Sequence, residues 1–361
     1  MMNSSFICKV LFLSIFCFAG ISFAKEKNNQ KFYPASSQAF LFTGRVDFTN
    51  PSLPRFYSPG VYVQGRFKGS SCEIEVNDEV LYGTSHNFIT VVIDDGAPTR
   101  IKLSGKTNKI RIAENLSDKT HTFLLCKSTE SGIGYIEFVG VRCDTLLPPP
   151  ESKSRKVEFI GNSITCGMGA DVSFPCNGTG AWYDQHNAYM SYGPLTARSL
   201  HADWVLSAVS GIGLIHSCCD MDIKMPQVFD KMNMRENTGT WDFSQYQPDV
   251  VTVCLGQNDG IQDSTAFCDA YIAFLKQLRT HYPRATILCL TSPMASRDLL
   301  AFLKTNLGAV INEMKTTGDD NVYSYAFSKR FYKGCGEHPD LSEHEEIAGE
   351  LSKVIKRIKR W

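Results

Sequence analysis

A change of hydrophobic period near residue 150 divides this chain into two halves that cannot share one architecture. From about Phe40 to Val141, apolar and polar residues alternate over short runs, among them Val61-Tyr62-Val63-Gln64-Gly65-Arg66-Phe67, Cys72-Glu73-Ile74-Glu75-Val76, Lys109-Ile110-Arg111-Ile112 and Tyr135-Ile136-Glu137-Phe138-Val139. Period two with Gly, Asn, Asp and Ser clusters between runs describes half-buried strands, and no stretch there holds a helical period. The expectation for residues 25–147 is an all-β, jelly-roll-like antiparallel sandwich of about eight strands. Pro148-Pro149-Pro150-Glu151-Ser152-Lys153 then reads as a stiff linker, 148–153.

Over residues 154–361 strands alternate with helices. Val157–Ile160, Asp203–Ala208, Val250–Leu255 and Thr286–Leu290 are apolar strands, with a weaker one at Val322–Tyr325. Helical candidates lie near Tyr189–Leu200, Ser264–Tyr282 and Arg297–Met314, and a last helix carries apolar spacing at Ile347, Leu351, Val354, Ile355 and Ile358. Such an order predicts a parallel sheet covered by helices on both faces, a three-layer α/β arrangement whose ligands bind at the carboxyl ends of the strands.

Charge and cysteine content narrow the setting. Among 361 residues, 37 Lys and Arg balance 37 Asp and Glu, so no basic field exists to hold a phosphate backbone and nucleic acid is not an expected partner. Residues 1–24 carry Lys9, a short apolar run from Val10 to Ala19, and Ser22-Phe23-Ala24, the order of a secretory signal cut after Ala24. The run is shorter than the roughly 20 residues that span a bilayer, so the mature chain is expected to be secreted or periplasmic, without stable membrane insertion. Two of the 13 cysteines, Cys8 and Cys17, lie in that leader, and the other eleven are an odd number. At least one therefore stays free or pairs between chains. Cys254 and Cys289 read as core thiols, while Cys166 with Cys176, or Cys218 or Cys219 with Cys335, are candidate bridges. No Cys/His spacing suggests zinc, and no metal or cofactor is expected.

The strand ends carry the candidate chemistry. The first α/β strand runs into Gly161-Asn162-Ser163-Ile164-Thr165-Cys166-Gly167. A serine there can be presented on a tight turn with its own N–H toward an oxyanion, or it can simply cap the next helix. The spacing is neither Gly-x-Ser-x-Gly nor a phosphate-binding loop. The second strand ends in Ser210-Gly211-Ile212-Gly213 and the third in Gly256-Gln257-Asn258-Asp259. A Gly211 N–H and an Asn258 amide can converge with Ser163 as donors, although each is also an ordinary turn residue. Asp259 reads as a structural group holding the turn after the third strand. Late in the chain, Ser342 and Glu345 form a capping-box start for the last helix, placing His338 in the preceding loop and His344 in its first turn. Either histidine is a candidate base, His338 the better placed.

Gly161-Asn162-Ser163, Gly211, Gly256-x-Asn258-Asp259 and a histidine before proline together resemble the four blocks of the SGNH, or GDSL-like, hydrolases, with Asn162 where that family usually has Asp. The preceding sandwich, Asn187-Ala188-Tyr189-Met190-Ser191-Tyr192-Gly193 and Gly-Cys-x-x-His-Pro look more specifically like carbohydrate esterase family 2, the two-domain acetylxylan esterases. The resemblance implies a flavodoxin-like parallel sheet, a Ser163 nucleophile, a His338 base, and an oxyanion hole of the Ser163 and Gly211 N–H groups with the Asn258 amide. It implies an acetylated polysaccharide or oligosaccharide as substrate. The family's usual acid two or three residues before the histidine is missing, since 335 is Cys and 336 is Gly. A Ser-His dyad with the imidazole oriented by a backbone carbonyl, or Glu337 or Asp340 in the acid's place, would answer that. Esterases of lipid or peptidoglycan acetate, and a non-catalytic secreted carbohydrate-binding protein, are the rival readings.

Overall fold

The computed structural model describes Met1 and residues 30–176 and 180–361, so the expected cleavage site after Ala24 lies outside the described residues. Ten strands form the first half: β1 (Lys31–Pro34), β2 (Phe40–Thr43), β3 (Val46–Asp47), β4 (Arg55–Phe56), β5 (Tyr62–Asp78), β6 (Phe88–Ile93), β7 (Thr99–Lys102), β8 (Thr107–Ala113), β9 (Thr120–Lys127) and β10 (Ile136–Leu147). They make one continuous antiparallel sheet, and the 17-residue β5 explains how one sheet encloses a core. The first part of β5 pairs with β2 and β9 and its second part with β8, while β10 runs beside it, so the sheet parts into two layers along this strand. Phe67, Cys72, Ile74 and Val76 of β5 are fully buried between the layers against Phe123, Leu125, Phe138 and Val141.

The count exceeds the expected eight because β1, β3 and β4 span only two to four residues, too few to display a period. Conversely, the alternation lapses at Lys68-Gly69-Ser70-Ser71, yet β5 continues through it unbroken.

Residues 148–153 take no regular structure. The second half holds β11 (Arg155–Gly161), β12 (Ala202–Ala208), a hairpin of β13 (Lys231–Asn233) and β14 (Thr238–Thr240), then β15 (Val250–Val253), β16 (Thr286–Leu290) and β17 (Val322–Tyr325). Its helices are α1 (Ser163–Cys166), α2 (Tyr192–Ser199), α3 (Met225–Val228), α4 (Ser264–His281), α5 (Arg297–Thr316) and α6 (Leu341–Lys359). The parallel sheet has the order β12-β11-β15-β16-β17. Winding therefore reverses between β11 and β15, which opens a crevice at their carboxyl ends. One face packs Val251, Val253 and Ile287 under α4 and α5. The other packs Val157, Phe159 and Leu288 under α2 and α6. Near-continuous apolar strands follow from burial on both faces. The polar β13–β14 hairpin carries no such signal, and no periodicity in the sequence points to it.

The start of α6 differs from expectation by two residues. Asp340, rather than Ser342, is the N-cap: its carboxylate accepts the Glu343 N–H at 2.8 Å, and Glu343 completes the capping box. Both pairs fit the pattern, and Asp340 has the extended backbone, φ −77° and ψ 177°, that an N-cap takes.

The halves are joined by buried polar contacts. Arg45, fully buried, donates to the carbonyls of Phe229 (2.6 Å) and Lys231 (2.7 Å) and to Ser207 Oγ (3.0 Å), and pairs with Glu158 at 3.5 Å. Tyr62 stacks on Trp204 at 4.2 Å and donates to Asp203, while the Trp204 indole N–H donates to the Gly60 carbonyl. Gly60 has φ +73°, and a Cβ there would meet Leu206 at 2.6 Å, so only glycine allows this approach.

Candidate active site

Three turns follow the carboxyl ends of the neighbouring strands β12, β11 and β15, and a loop from the far end of the chain reaches Ser163. β11 ends at Gly161, and Asn162 caps the single turn α1, its side chain accepting the Ile164 N–H at 3.2 Å. Gly167 at φ +73° closes that turn. Ser163 is thereby lifted at the strand's end, nearly buried but with its hydroxyl turned to His338. Ser163 Oγ lies 2.8 Å from His338 Nε2, and His338 Nδ1 lies 2.9 Å from the Gly336 carbonyl oxygen. A carbonyl can only accept, so Nδ1 carries the proton and the neutral ring presents a bare Nε2 to the serine hydroxyl.

Neither nearby carboxylate orients the ring. Glu337 pairs with Arg330, and Asp340 is committed to the α6 cap. Beside Gly336, a disulfide, Cys176–Cys335, ties the histidine loop to the segment that ends at Cys176. This pairing replaces both bridges suggested by the sequence. Cys166 is a buried thiol, and Cys218 joins Cys219 in a vicinal disulfide. Cys254 and Cys289 are buried thiols, as expected.

His344 sits in the core rather than at the serine. It is fully buried in α6, its Nδ1 accepts the Tyr192 N–H at 3.2 Å, and its ring stacks on Tyr192. Burial pushes its pKa down to about 3, far too low for an effective general base near neutrality.

The two other turns supply donors. Gly211 follows β12 with φ +84°, and a Cβ there would crowd Cys218 Sγ at 3.1 Å and Met221 at 3.2 Å. Neither the Ser163 nor the Gly211 N–H has a protein partner among the described residues. The Asn258 amide donates one hydrogen to the Ile212 carbonyl at 2.8 Å, which fixes its rotamer and leaves the second N–H uncommitted. Asp259 is buried and accepts three backbone N–H groups, from Leu214, Ile215 and His216. It thus holds the turn after β12 rather than its own.

Among the described residues no group of His, Cys, Asp and Glu could hold a metal ion, and no helix is long and apolar enough to cross a membrane.

Residues 42–150 match the family model of the carbohydrate esterase 2 N-terminal domain, and residues 159–347 match that of the GDSL-like lipase/acylhydrolase family. The chain belongs to the GDSL-like hydrolases, as a two-domain family 2 carbohydrate esterase. It is a carboxylic ester hydrolase by that membership. The esterase is 31% identical over 89% of its length to a cellulase/esterase, CelE, of Acetivibrio thermocellus, and spans 40% of that larger protein. It is 26% identical to an acetylxylan esterase/glucomannan deacetylase of Cellvibrio japonicus, covering 91% of each chain. Among solved structures it resembles a family two carbohydrate esterase from Clostridium thermocellum in complex with cellohexaose, with TM-score 0.81 and 29% identity over 89% of this chain and 99% of that one.

Sequence reasoning missed two features of the site's surroundings. The Cys176–Cys335 bridge joins residues 159 apart, which no spacing rule connects. Glu130, from the sandwich, reaches the turn after β12 through tertiary structure alone.

Proposed function

We propose that this esterase removes acetyl groups from hydroxyls of plant-wall polysaccharides such as xylan and glucomannan, by a serine acyl-enzyme route, outside the cytoplasm. The observation that carries the reading is the contact of Ser163 Oγ with His338 Nε2 at 2.8 Å, set beside uncommitted donors. His338 Nε2 takes the Ser163 proton as Oγ bonds to the acetyl carbonyl carbon. The Ser163 and Gly211 N–H groups and the Asn258 amide receive the charge on the former carbonyl oxygen. The bond to the sugar oxygen breaks, and that oxygen leaves with the proton held on His338. Water, deprotonated by His338, then attacks the acetyl-enzyme, and acetate leaves as Ser163 recovers its proton. Export is supported by the leader's order of residues and by the Cys176–Cys335 bridge, which needs an oxidising compartment. Trp182, 56% exposed, offers a face for a sugar ring.

The test is acetate release from acetylated xylan and glucomannan by the full chain, beside hydrolysis of p-nitrophenyl acetate and octanoate. Release from a glycan, with acetate far preferred over octanoate, is the expected result. Preference for octanoate would point to lipid, and no release by a folded chain that still binds the glycan would make it a carbohydrate-binding protein.

The pH profile follows from the histidine's surroundings. Burial, the largest influence, lowers the His338 pKa below its ordinary value, against the opposing pull of the Gly336 and Cys335 carbonyls. A lowered pKa keeps the base neutral to lower pH. The acid limb of kcat/KM on p-nitrophenyl acetate should therefore have its midpoint below about 6.5, the free histidine value. A midpoint above that value would mean that another group titrates, or that a carboxylate supports the ring.

A further inference from the structure

We propose that Glu130, a residue of the β-sandwich, is a positioning residue for ester cleavage, whose carboxylate fixes the turn bearing the Gly211 N–H relative to the turn bearing Ser163. The inference rests on the esterase reading above.

One carboxylate oxygen links the two turns. Glu130 Oε2 accepts the Ser210 N–H at 2.9 Å, and the Cys166 thiol faces the same oxygen at 3.8 Å. Cys166 is the last residue of α1, the turn that opens with Ser163, and Ser210 directly precedes Gly211. The segment that delivers Glu130 is itself held on both sides. Lys127 Nζ donates to the carbonyls of Thr129 (2.8 Å) and Glu130 (3.0 Å), Thr129 Oγ1 donates to Asn87, and the Ala188 N–H donates to the Ser128 carbonyl.

This arrangement is a poor device for stability. Glu130 is 2% exposed, so its carboxylate is costly to desolvate. Its other oxygen, Oε1, has no hydrogen-bond partner among the described residues, and its nearest ring nitrogen, His186 Nδ1, is 3.8 Å away and also unpartnered. An apolar side chain of similar volume would join the halves at less cost. What such a side chain could not do is hold the Ser210 N–H. Without that acceptor the Val209-Ser210 peptide is held only through its carbonyl, by the Ile212 N–H, and the next peptide, whose Gly211 N–H has no partner among the described residues, can shift with it. Donors in an oxyanion hole act through fixed placement, and displacement by about 1 Å can cost on the order of 10²-fold in rate. The sandwich would therefore be part of the catalytic apparatus of the esterase.

The experiment compares Glu130→Ala, Glu130→Met and Glu130→Gln in the full chain, with kcat and KM on p-nitrophenyl acetate, the rate of Ser163 phosphonylation by an organophosphonate, and thermal midpoints. The Ala variant should lose on the order of 10- to 100-fold in kcat with KM little changed. Glu130→Met, which refills the volume, keeps the test usable if the Ala variant does not fold, and should lose as much. Glu130→Gln, whose amide oxygen still accepts the Ser210 N–H, should keep most of kcat. Phosphonylation should slow in parallel with kcat. Parent-like kcat in a folded Ala or Met variant would overturn the proposal, as would a Gln variant losing as much as Ala. A parent without turnover on any ester would sink the esterase reading instead, while the phosphonylation rates would still report on positioning.

Discussion

Ser163→Ala and His338→Ala should each lower kcat on p-nitrophenyl acetate by at least about 10⁴-fold, and the double variant should be no slower than either single one. The reason is that the two side chains form one unit. With Ser163 Oγ at 2.8 Å from Nε2, the hydroxyl is a useful nucleophile only while the ring can take its proton, and once the hydroxyl is gone the ring has no nucleophile fixed beside it. Residual turnover in all three would come from the donors alone, acting on a bound ester attacked by water. Steady-state kinetics on folded variants, checked by circular dichroism, decides the matter. Losses that multiply in the double variant would show independent actors. A His338→Ala variant keeping a tenth of parent activity would assign the base elsewhere, and His344, buried and bonded to the Tyr192 N–H, could not take its place without unpacking α6.

What can be read from the sequence divides along the same line as the fold. Strands β16 and β17 are legible to the residue, and β11, β12 and β15 to within two; burial on both faces writes the apolar runs of β15 and β16, whereas β17, at the sheet edge and partly exposed, leaves a weaker pattern. The sandwich is legible as a class but not strand by strand. Its two- to four-residue strands are shorter than the window that reveals a period, and β5 persists through a stretch whose residues do not alternate. At the site, Ser163, Gly211 and Asn258 stand out because each closely follows a strand that the topology brings to one edge. The role of Gly336 cannot be read from residue types, since a backbone carbonyl is the same in every residue. Glu130 lies 33 positions before Ser163 in the other half of the chain, and only the packing of the sandwich against the α/β half brings it to Ser210.

Asn258→Ala should lower kcat by about 10²- to 10³-fold, roughly 2.7–4 kcal/mol of lost transition-state stabilisation, while KM changes little. The amide is ordered before substrate arrives, because one of its N–H groups is already committed to the Ile212 carbonyl at 2.8 Å. Ordering that is complete in the free enzyme costs nothing at the moment of reaction, which is what makes a donor effective in an oxyanion hole. The same bond ties the turn after β15 to the turn after β12, so Asn258→Ala also releases Ile212 next to Gly211. Asn258→Asp removes both N–H groups together. It keeps the shape, but its carboxylate repels the Ile212 carbonyl and any developing oxyanion, so it should be at least as damaging as Ala. Asn258→Gln would retain a donor and misplace it. A loss under threefold in Asn258→Ala would remove the amide from the hole and leave two backbone N–H groups as the whole of it.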